Sequence, residues 1–334
     1  MTASPVNERE PESAQQAADR RAASGPASKS PTQLAMARFR KDKKSMAALV
    51  IVILYLLAAI AGPILKLAGV LDPFSSDQDA IGPDALPSGK WWGITWDHPL
   101  GIEPGIGRDV LSRIWLGLTY SLTVALAASV IAVLLGVVLG IIAGYAGGWV
   151  DAIIGRLIDL VLAFPQTLLL LAASSVGIAL LTDTFHVPAG PLAQGLFVIL
   201  VLGLFGWTGT ARLIRGQVLS LREREFVDAA RLYGASRRRI WFKELLPNLW
   251  APVLVTFTLY MPAFISAEAA LSYLGVSVRP PTPTLGNILK DSIQYATGDF
   301  MYFFMPAFLI ALIVVSFNLL GDGLRDALDP KGDR

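Results

Sequence analysis

Six long runs of apolar residues divide the chain, with segments rich in polar and charged residues between them. Each run is about 19 to 26 residues long, so its helix measures roughly 28 to 39 Å and crosses a hydrocarbon core of about 30 Å. A lone strand would leave its backbone groups unpaired in lipid, and the alternation of a membrane barrel is missing. We therefore expect an all-α integral membrane protein with about six transmembrane helices. Their predicted positions are residues 46–65, 118–143, 160–181, 192–210, 250–271 and 301–320.

The composition also indicates a chain that lies mostly in lipid. Hydrophobic residues make up 54% and charged residues 16%, against about 25% charge in a typical soluble domain. The formal net charge of +2 gives no reason to expect a nucleic-acid partner. With no cysteine and only His98 and His186, neither disulfides nor a histidine-rich metal centre are expected, and we predict no metal site.

The ends of the chain differ from its centre. Residues 1–30 are rich in small and polar residues and lack the large apolar ones that offset the entropy of ordering. No cleavable signal peptide is expected, because the first apolar run starts near Ser45 and is as long as a full span. The expected organisation is a disordered cytoplasmic tail at 1–30, a basic cytoplasmic helix at 31–44, a first transmembrane helix at 45–67, an extracytoplasmic loop at 68–117, a transmembrane core at 118–321 that includes a cytoplasmic loop at 211–248, and a cytoplasmic tail at 322–334.

Positive charge predicts the orientation in the membrane. Six spans place both termini on one side. That side receives Arg38, Arg40, Lys41, Lys43 and Lys44 before the first span, and nine further cations between residues 211 and 248. The other side receives few cations, spread over much longer loops. Because cytoplasmic loops carry the excess of Lys and Arg, we expect both termini in the cytoplasm.

The segment 211–248 has the pattern of a compact helix, turn and helix. Phe226, Ala229, Ala230 and Tyr233 recur at i, i+3, i+4 and i+7, which predicts one face of a short helix. Gly234 suits the end of that helix. A second helix is expected to start at Ser236 and to end at Pro247. Periodicity alone leaves two interpretations open, a knob that docks into another protein and an amphipathic hairpin that rests on anionic headgroups.

A family resemblance favours the docking interpretation. The run EFVDAARLYG at residues 225–234, followed by LPN at 246–248, resembles the EAA signature of ABC importer permeases. Asp228 stands where that family usually has Glu, which keeps the charge and shortens the reach by one methylene. The resemblance implies that this loop is a coupling helix seated in a cytoplasmic ATPase. The implied coupling residues are Phe226, Asp228, Ala229, Ala230, Tyr233, Gly234 and Pro247.

Further motifs narrow the resemblance to the dipeptide, oligopeptide and nickel branch of these permeases, and to its C-type component. They are HPLG at 98–101, GRDVLSR at 107–113, GYAGGWVD at 144–151, AALSYLG at 269–275 and DALDP at 326–330. The resemblance implies a type I ABC importer permease fold, a heterodimer with a homologous B-type permease, two ATPase domains and an extracytoplasmic solute-binding protein. It also implies contact with membrane lipids and import of dipeptides or oligopeptides, with nickel or another small solute as the alternative.

Other residues have weaker functional interpretations. Glu268 lies near the external end of the fifth span, where an ionisable group predicts either a gating or a helix-fixing role. Arg108 and Asp109 are expected to form a local pair that shapes the outer end of the second span. Glycines at four-residue spacing, Gly136, Gly140 and Gly144, predict a close helix contact.

No enzyme activity is expected of this chain. It has no Gly-x-x-x-x-Gly-Lys-Ser/Thr loop, so we expect no cofactor in it, with ATP and Mg²⁺ bound by partner ATPase subunits. The spans hold almost no carboxylates or histidines for a proton relay, which disfavours the rival class of ion-coupled secondary transporters. A membrane enzyme is disfavoured because no nucleophile with a base is evident.

Overall fold

The computed structural model describes residues 31–88 and 91–329. The predicted tail at 1–30 and the last residues of the predicted C-terminal tail, 330–334, lie outside the described residues. The helices of the described part are α1 Pro31–Lys41, α2 Lys43–Leu67, α3 Val110–Ala146, α4 Gly148–Ala163, α5 Gln166–Thr184 with a π-helical last turn, α6 Pro191–Leu221, α7 Glu225–Leu232, α8 Arg237–Arg239, α9 Trp250–Tyr273, α10 Leu285–Ser292 and α11 Phe300–Leu328.

Six of these helices are long and apolar enough to cross a membrane, which confirms the predicted number. They are α2, α3, α5, α6, α9 and α11. Three extend by seven residues or more beyond the predicted bounds: α3 starts at Val110 rather than 118, α6 continues to Leu221, and α11 continues to Leu328. The predicted loop at 211–248 therefore begins as helix, and so does the predicted tail at 322–334. A hydropathy pattern misses such extensions because helical hydrogen bonding continues after the apolar run has ended.

The predicted third span, 160–181, is not one continuous helix. The chain breaks at Phe164, which has extended backbone, and Pro165 then caps α5. Proline explains the break, because its ring disfavours helical backbone in the residue before it. The preceding helix, α4, runs back along α6, and its Asp151 pairs with Arg215 there. The run of apolar residues continues across this break, and Pro165 is the residue in the sequence that indicates it.

The closest helix contact joins α3 to α6 and confirms the predicted glycine ladder. A Cβ added at Gly140 would lie 2.8 Å from the Ala211 carbonyl oxygen and 2.8 Å from the Ile214 Cβ. A Cβ at Gly144 would lie 2.8 Å from that of Val218. Small residues let two helix backbones approach in this way, so van der Waals contact along the ladder holds the two longest helices together.

The connecting segments divide between two ends of the bundle. One end, which we call the α7 end, carries α1, α7, α8 and the last turns of α11; the Arg38 guanidinium donates to the Asp329 carbonyl there. At this end Asp42 caps α2, so the basic helix α1 ends at Lys41 and is separate from the first span, which begins at Lys43. The opposite end carries the irregular segments 68–109 and 274–299, the second of which includes α10.

Candidate functional site

The α7 segment is a short helix closed by a glycine turn. Gly234 has φ +75°, in the left-handed region that favours glycine. The Ala235 N–H donates to the Ala230 carbonyl at 3.0 Å, and the Gly234 N–H donates to the Arg231 carbonyl at 2.9 Å. This pair of bonds is a Schellman motif. The predicted helix end at Gly234 is confirmed.

A second short helical segment returns the chain to the bundle. Ser236 caps α8 by accepting from the Arg239 N–H. A π-helical turn, Ile240–Leu245, and a 3₁₀ turn, Leu246–Asn248, follow, with Pro247 in the latter. The predicted start at Ser236 is confirmed. Pro247 lies in the turn that separates this segment from α9, and the two segments together form a helix, turn and helix.

One face of α7 is held against the bundle. Val227 is fully buried and belongs to an apolar cluster with Ile240, Leu245 and Leu249. Ala230 packs against the same cluster. The residues that α6 contributes to this cluster, Ile214 and Val218, also contact the glycine ladder of α3. The α7 segment therefore packs against the two helices that the ladder holds together. The sequence interpretation missed Val227, although it lies about 100° around the helix from Phe226 and is apolar.

Polar and aromatic contacts add to this support. The Arg231 guanidinium lies 5.3 Å from the centre of the Tyr145 ring at the end of α3. It also donates to Asp228 Oδ1 at 3.0 Å. The Tyr145 ring meets Trp241 edge to face, with 6.2 Å between ring centres. The hydrogen bond to Tyr145 raises the pKa of Arg231, which keeps the guanidinium charged. The α7 segment is thus tied to both α3 and the π-helical turn.

The other face of α7 is open. Tyr233 is 92% exposed, Leu232 is 89% exposed, and Phe226 is 38% exposed. Ala229 is exposed between them. Of the four residues predicted to share a face, three lie on this open side, and Ala230 turns partly inward. Large apolar side chains exposed on a fixed helix are typical of a protein-docking surface.

Glu268 is buried at the opposite end of the bundle. Its carboxylate accepts hydrogen bonds from Ser121 of α3 at 2.8 Å, from Ser272 at 2.8 Å and from Ser277 at 2.9 Å. The Ser272 hydroxyl also lies 3.1 Å from that of Thr284, which caps α10. One carboxylate therefore joins α3, α9 and the irregular segment 274–299.

Arg108 pairs with Glu103, and not with Asp109 as predicted. Its Nε donates to Glu103 Oε2 at 2.6 Å. Arg113, with no exposed side-chain surface, lies 3.3 Å from the same oxygen, and the Tyr302 hydroxyl donates to Glu103 Oε1 at 2.9 Å. The sequence interpretation missed this cluster, because nothing local indicates that Glu103 meets a tyrosine 199 positions later.

Asp109 acts instead as the cap of α3. Its Oδ2 accepts from the Ser112 N–H at 2.7 Å, and its Oδ1 lies 3.1 Å from Nδ1 of His98. Asp109 thus fixes the first turn of α3, the helix that contains the predicted second span. Within residues 31–88 and 91–329, no three His, Asp or Glu side chains cluster closely enough to hold a metal ion.

Residues 136–333 match the family described as binding-protein-dependent transport system inner membrane component. This range covers α4 to α11, the Glu268 carboxylate and the whole α7 segment. The chain belongs to this family. Residues 30–85 match a second description, the N-terminal transmembrane domain of oligopeptide transport permease C. The chain is thus a multi-pass inner-membrane protein of the permease class.

Relatives of known name extend over nearly the whole chain. The oligopeptide transport system permease protein OppC of Bacillus subtilis is 36% identical over 89% of this chain and 88% of its own. The dipeptide permease DppC of the same organism is 37% identical over 90% and 86%. The glutathione permease GsiD of Shigella flexneri is 36% identical over 88% of each chain. The predicted resemblance to C-type permeases is confirmed.

One solved structure shows the fold. A chain of the MetNI methionine ABC transporter, in inward-facing conformations, matches with a TM-score of 0.50 and 17% identity, over 66% of this chain and 97% of that chain. At this identity the match shows the fold alone. The predicted type I ABC importer permease fold is confirmed.

Proposed function

We propose that this chain is the C-type permease subunit of an ATP-driven importer of dipeptides or oligopeptides. It forms half of the translocation pathway with a homologous B-type permease and carries no catalytic site of its own. Two partner ATPase domains bind ATP and Mg²⁺, and an extracytoplasmic protein delivers the solute. The oligopeptide, dipeptide and glutathione permeases among the relatives support a peptide-like cargo.

The open face of α7 carries the proposal. A coupling element must meet its partner on one side and be fixed to the spans on the other, because a loose element would absorb motion without transmitting it. Val227 is buried on the inner side, while Tyr233 is 92% exposed on the outer side. Closure of the ATPase pair would then move α7 as a rigid body and shift the spans between inward-open and outward-open states.

The orientation follows from charge. The α7 end carries the basic residues of α1 together with Arg237, Arg238, Arg239 and Lys243. Under the positive-inside rule this end faces the cytoplasm, where ATP is available, and both termini lie there. The segments 68–109 and 274–299 then face the solute-binding protein.

We propose that Glu268 fixes the relative positions of α3, α9 and the segment 274–299 at the outer end of the pathway. Its three hydroxyl donors come from α3, α9 and Ser277 of the irregular segment. Glu268→Gln replaces one accepting oxygen by a donor that faces hydroxyl groups, so we expect uptake to fall while ATPase subunits still copurify. Ser174→Ala, on α5 and outside this network, is the control. Unchanged uptake by Glu268→Gln would leave the carboxylate with a packing role only.

Crosslinking from single introduced cysteines tests the docking. The chain has no native cysteine, so every crosslink comes from the introduced position. Cysteines at Leu232 and Tyr233 should crosslink to a nucleotide-hydrolysing subunit in the assembled complex. Trp149, 75% exposed at the same end, is the matched control position and should not crosslink to it. Crosslinks from Leu232 and Tyr233 to lipid alone would end the docking proposal and favour a hairpin resting on headgroups.

Charge at Asp228 gives a second test. Asp228→Arg should abolish solute uptake and uncouple ATP hydrolysis, and Gly234→Val should do the same by straining the left-handed turn. The double variant Asp228→Arg/Arg231→Asp restores the internal pair in reverse. If the carboxylate at 228 faces the ATPase, the double variant stays inactive. Full recovery of uptake by the double variant would show that the charge at residue 228 is needed only for its pair with residue 231, and not for docking.

Cargo is tested through the binding protein. We expect the extracytoplasmic protein that copurifies with the complex to bind dipeptides or oligopeptides by calorimetry. Binding of nickel chelates or of another small solute, with peptides not bound, would keep the permease assignment and replace the cargo. Uptake driven by an ion gradient without ATP would instead support a secondary transporter.

A further inference from the structure

We propose that a polar pocket at the opposite end of the bundle binds the two charged termini of a free peptide. Arg279 and Lys290 hold the α-carboxylate of the peptide, and Asp291 holds its α-ammonium group. The pocket has a volume of about 400 Å³ and lies between the last turn of α9 and α10. That the ligand is a peptide rests on the proposed function, whereas the pocket and its charges are features of this chain alone.

The position and size of the pocket favour a small ligand that is soluble in water. Apart from Ser272, its lining belongs to the segment 274–299, which lies outside the six spans. Its lining includes two apolar side chains, Val278 and Pro280, and these are too few to form a wall for an acyl chain. The volume of about 400 Å³ lies within the range of roughly 300 to 1,000 Å³ that small-molecule sites have.

Buried hydrogen bonds fix the backbone around the pocket. Ser272 and Ser277 line it, and both hydroxyls donate to the Glu268 carboxylate, at 2.8 and 2.9 Å. Asn287, also buried in the lining, donates to the Val278 carbonyl at 3.2 Å. The segment that carries the charged side chains is therefore ordered before a ligand arrives, which lowers the entropic cost of binding.

Three charged side chains line the pocket and are free to meet a ligand. Arg279 and Lys290 are exposed, and Asp291 is half-buried. A Cβ added at Gly275 would lie 3.8 Å from the Lys290 Nζ, so this ammonium group lies over the Gly275 backbone in the pocket wall. Within residues 31–88 and 91–329, none of the three charged side chains is in an ion pair.

Two cations beside one carboxylate suit a zwitterion better than a simple anion. An anion held by Lys290 would be repelled by Asp291, the next residue of α10. Burial raises the pKa of Asp291, because its charge is poorly solvated there, and a ligand ammonium group would offset that cost. A free dipeptide carries both charges within roughly 7 Å, the length of two extended residues. Its two termini therefore match the two signs of charge in the pocket.

Binding of L-alanyl-L-alanine tests the pocket. The full chain, purified with whatever membrane and ATPase subunits accompany it, is kept in the uncharged detergent dodecyl maltoside without the extracytoplasmic protein. A titration followed by saturation-transfer NMR gives the dissociation constant. Lys290→Gln and Asp291→Asn should each weaken binding about fivefold. The matched controls are Lys66→Gln and Asp79→Asn, which are exposed at the same end outside the pocket and should change the constant less than twofold.

Modified dipeptides assign each terminus to its partner. N-acetyl-alanyl-alanine lacks the ammonium group, so Asp291→Asn should change its affinity less than twofold. Alanyl-alanine amide lacks the carboxylate, so Lys290→Gln and Arg279→Gln should change its affinity less than twofold. If each variant weakens the binding of all three dipeptides equally, its charge does not contact the assigned terminus, and the proposal is overturned.

Uptake of the same dipeptide separates the pocket from the proposed import function. If ATP drives uptake but the unaltered chain does not bind the dipeptide, or binds it no better than Lys290→Gln and Asp291→Asn do, import stands and the pocket is overturned. If the expected binding pattern is found without uptake, the pocket stands and the import proposal fails. If Lys290→Gln weakens only the affinity for the solute-free extracytoplasmic protein, the cations meet an acidic group of that protein, and the peptide site is overturned.

Discussion

The two ends of the bundle use charge in opposite ways. At the α7 end, arginines and lysines are mostly exposed and the acid Asp228 pairs with Arg231 at the surface. At the opposite end, Glu103, Arg113 and Glu268 are buried. Glu103 pairs with Arg113, and Glu268 accepts hydrogen bonds from three serine hydroxyls. Exposed charge orients a membrane protein and meets partners. Buried charge paired within a network instead holds irregular backbone, which cannot pair with itself as a helix does.

The short helix α7 and the irregular segments of the opposite end also differ in how they place apolar residues. The α7 end exposes Leu232 and Tyr233 on a helix that is fixed from behind, whereas the opposite end buries Ile102, Val278 and Leu285 beneath its irregular segments. The exposed side chains of α7 suit the docking proposed above, and the buried ones at the opposite end fix the course of its irregular segments. Variants at the two ends should therefore separate effects on assembly from effects on stability.

The largest loss of stability is expected at the opposite end, from Glu103→Gln. The change leaves Arg108 and Arg113 buried without the carboxylate that pairs with both, which typically costs about 3 to 5 kcal/mol. Unfolding in mixed detergent micelles measures the loss. Asp79→Asn, exposed in the same irregular segment, is the control and should change stability by less than about 0.5 kcal/mol. If Glu103→Gln is as stable as the unaltered chain, the cluster around Glu103 does not stabilise this end of the bundle.

A smaller loss is expected between the ends, from Gly140→Ala. The added methyl group would meet the Ala211 carbonyl and Ile214 at 2.8 Å, so α3 and α6 must separate. Overpacking of this kind costs about 1 to 3 kcal/mol. Gly216→Ala on α6 is the matched control, because no atom lies within 4 Å of its added methyl. That control should be neutral or stabilising, and a loss as large as that of Gly140→Ala would contradict the ladder.

A still smaller effect is expected from Asp151→Asn near the α7 end. The hydrogen bond from Arg215 lowers the pKa of Asp151, so the pair stabilises the fold above the ordinary carboxyl pKa. Its partly exposed contribution is about 1 kcal/mol or less. This contribution is lost as pH falls through the lowered pKa. The thermal unfolding midpoints of the unaltered chain and of Asp151→Asn should differ at pH 7 and converge in strong acid. The control is Asp159→Asn, whose more exposed pair with Arg212 should give no such difference.

The smallest effect on stability is expected for Tyr233→Ala on the open face of α7. A side chain that is 92% exposed contributes little packing, so the free energy of unfolding should change by less than about 0.5 kcal/mol. Copurification of the ATPase should nevertheless be lost. Val227→Ala on the buried face reverses the pattern, with a loss of about 2 kcal/mol. A large stability loss from Tyr233→Ala would mean that α7 is not a separate docking element.

Several features follow from the sequence because they are local. Each apolar run that spans a membrane must be helical, and Gly234, Ser236 and Pro247 specify turns and caps within a few residues. The EAA-like run at 225–234 likewise indicated a short helix closed at Gly234, as the structure has it. Asp109 as a helix cap belongs to the same class, since its partner Ser112 is three residues away.

Other features were decided only by the tertiary structure, because they join residues that are distant in the chain. Hydropathy continued through Phe164 and did not show the break before α5. The partner of Arg108 is Glu103 and not its neighbour Asp109, and Tyr302, from the last helix, completes that cluster. A buried charge is stable only where several elements converge to satisfy it, and that convergence is a property of packing, not of any one segment.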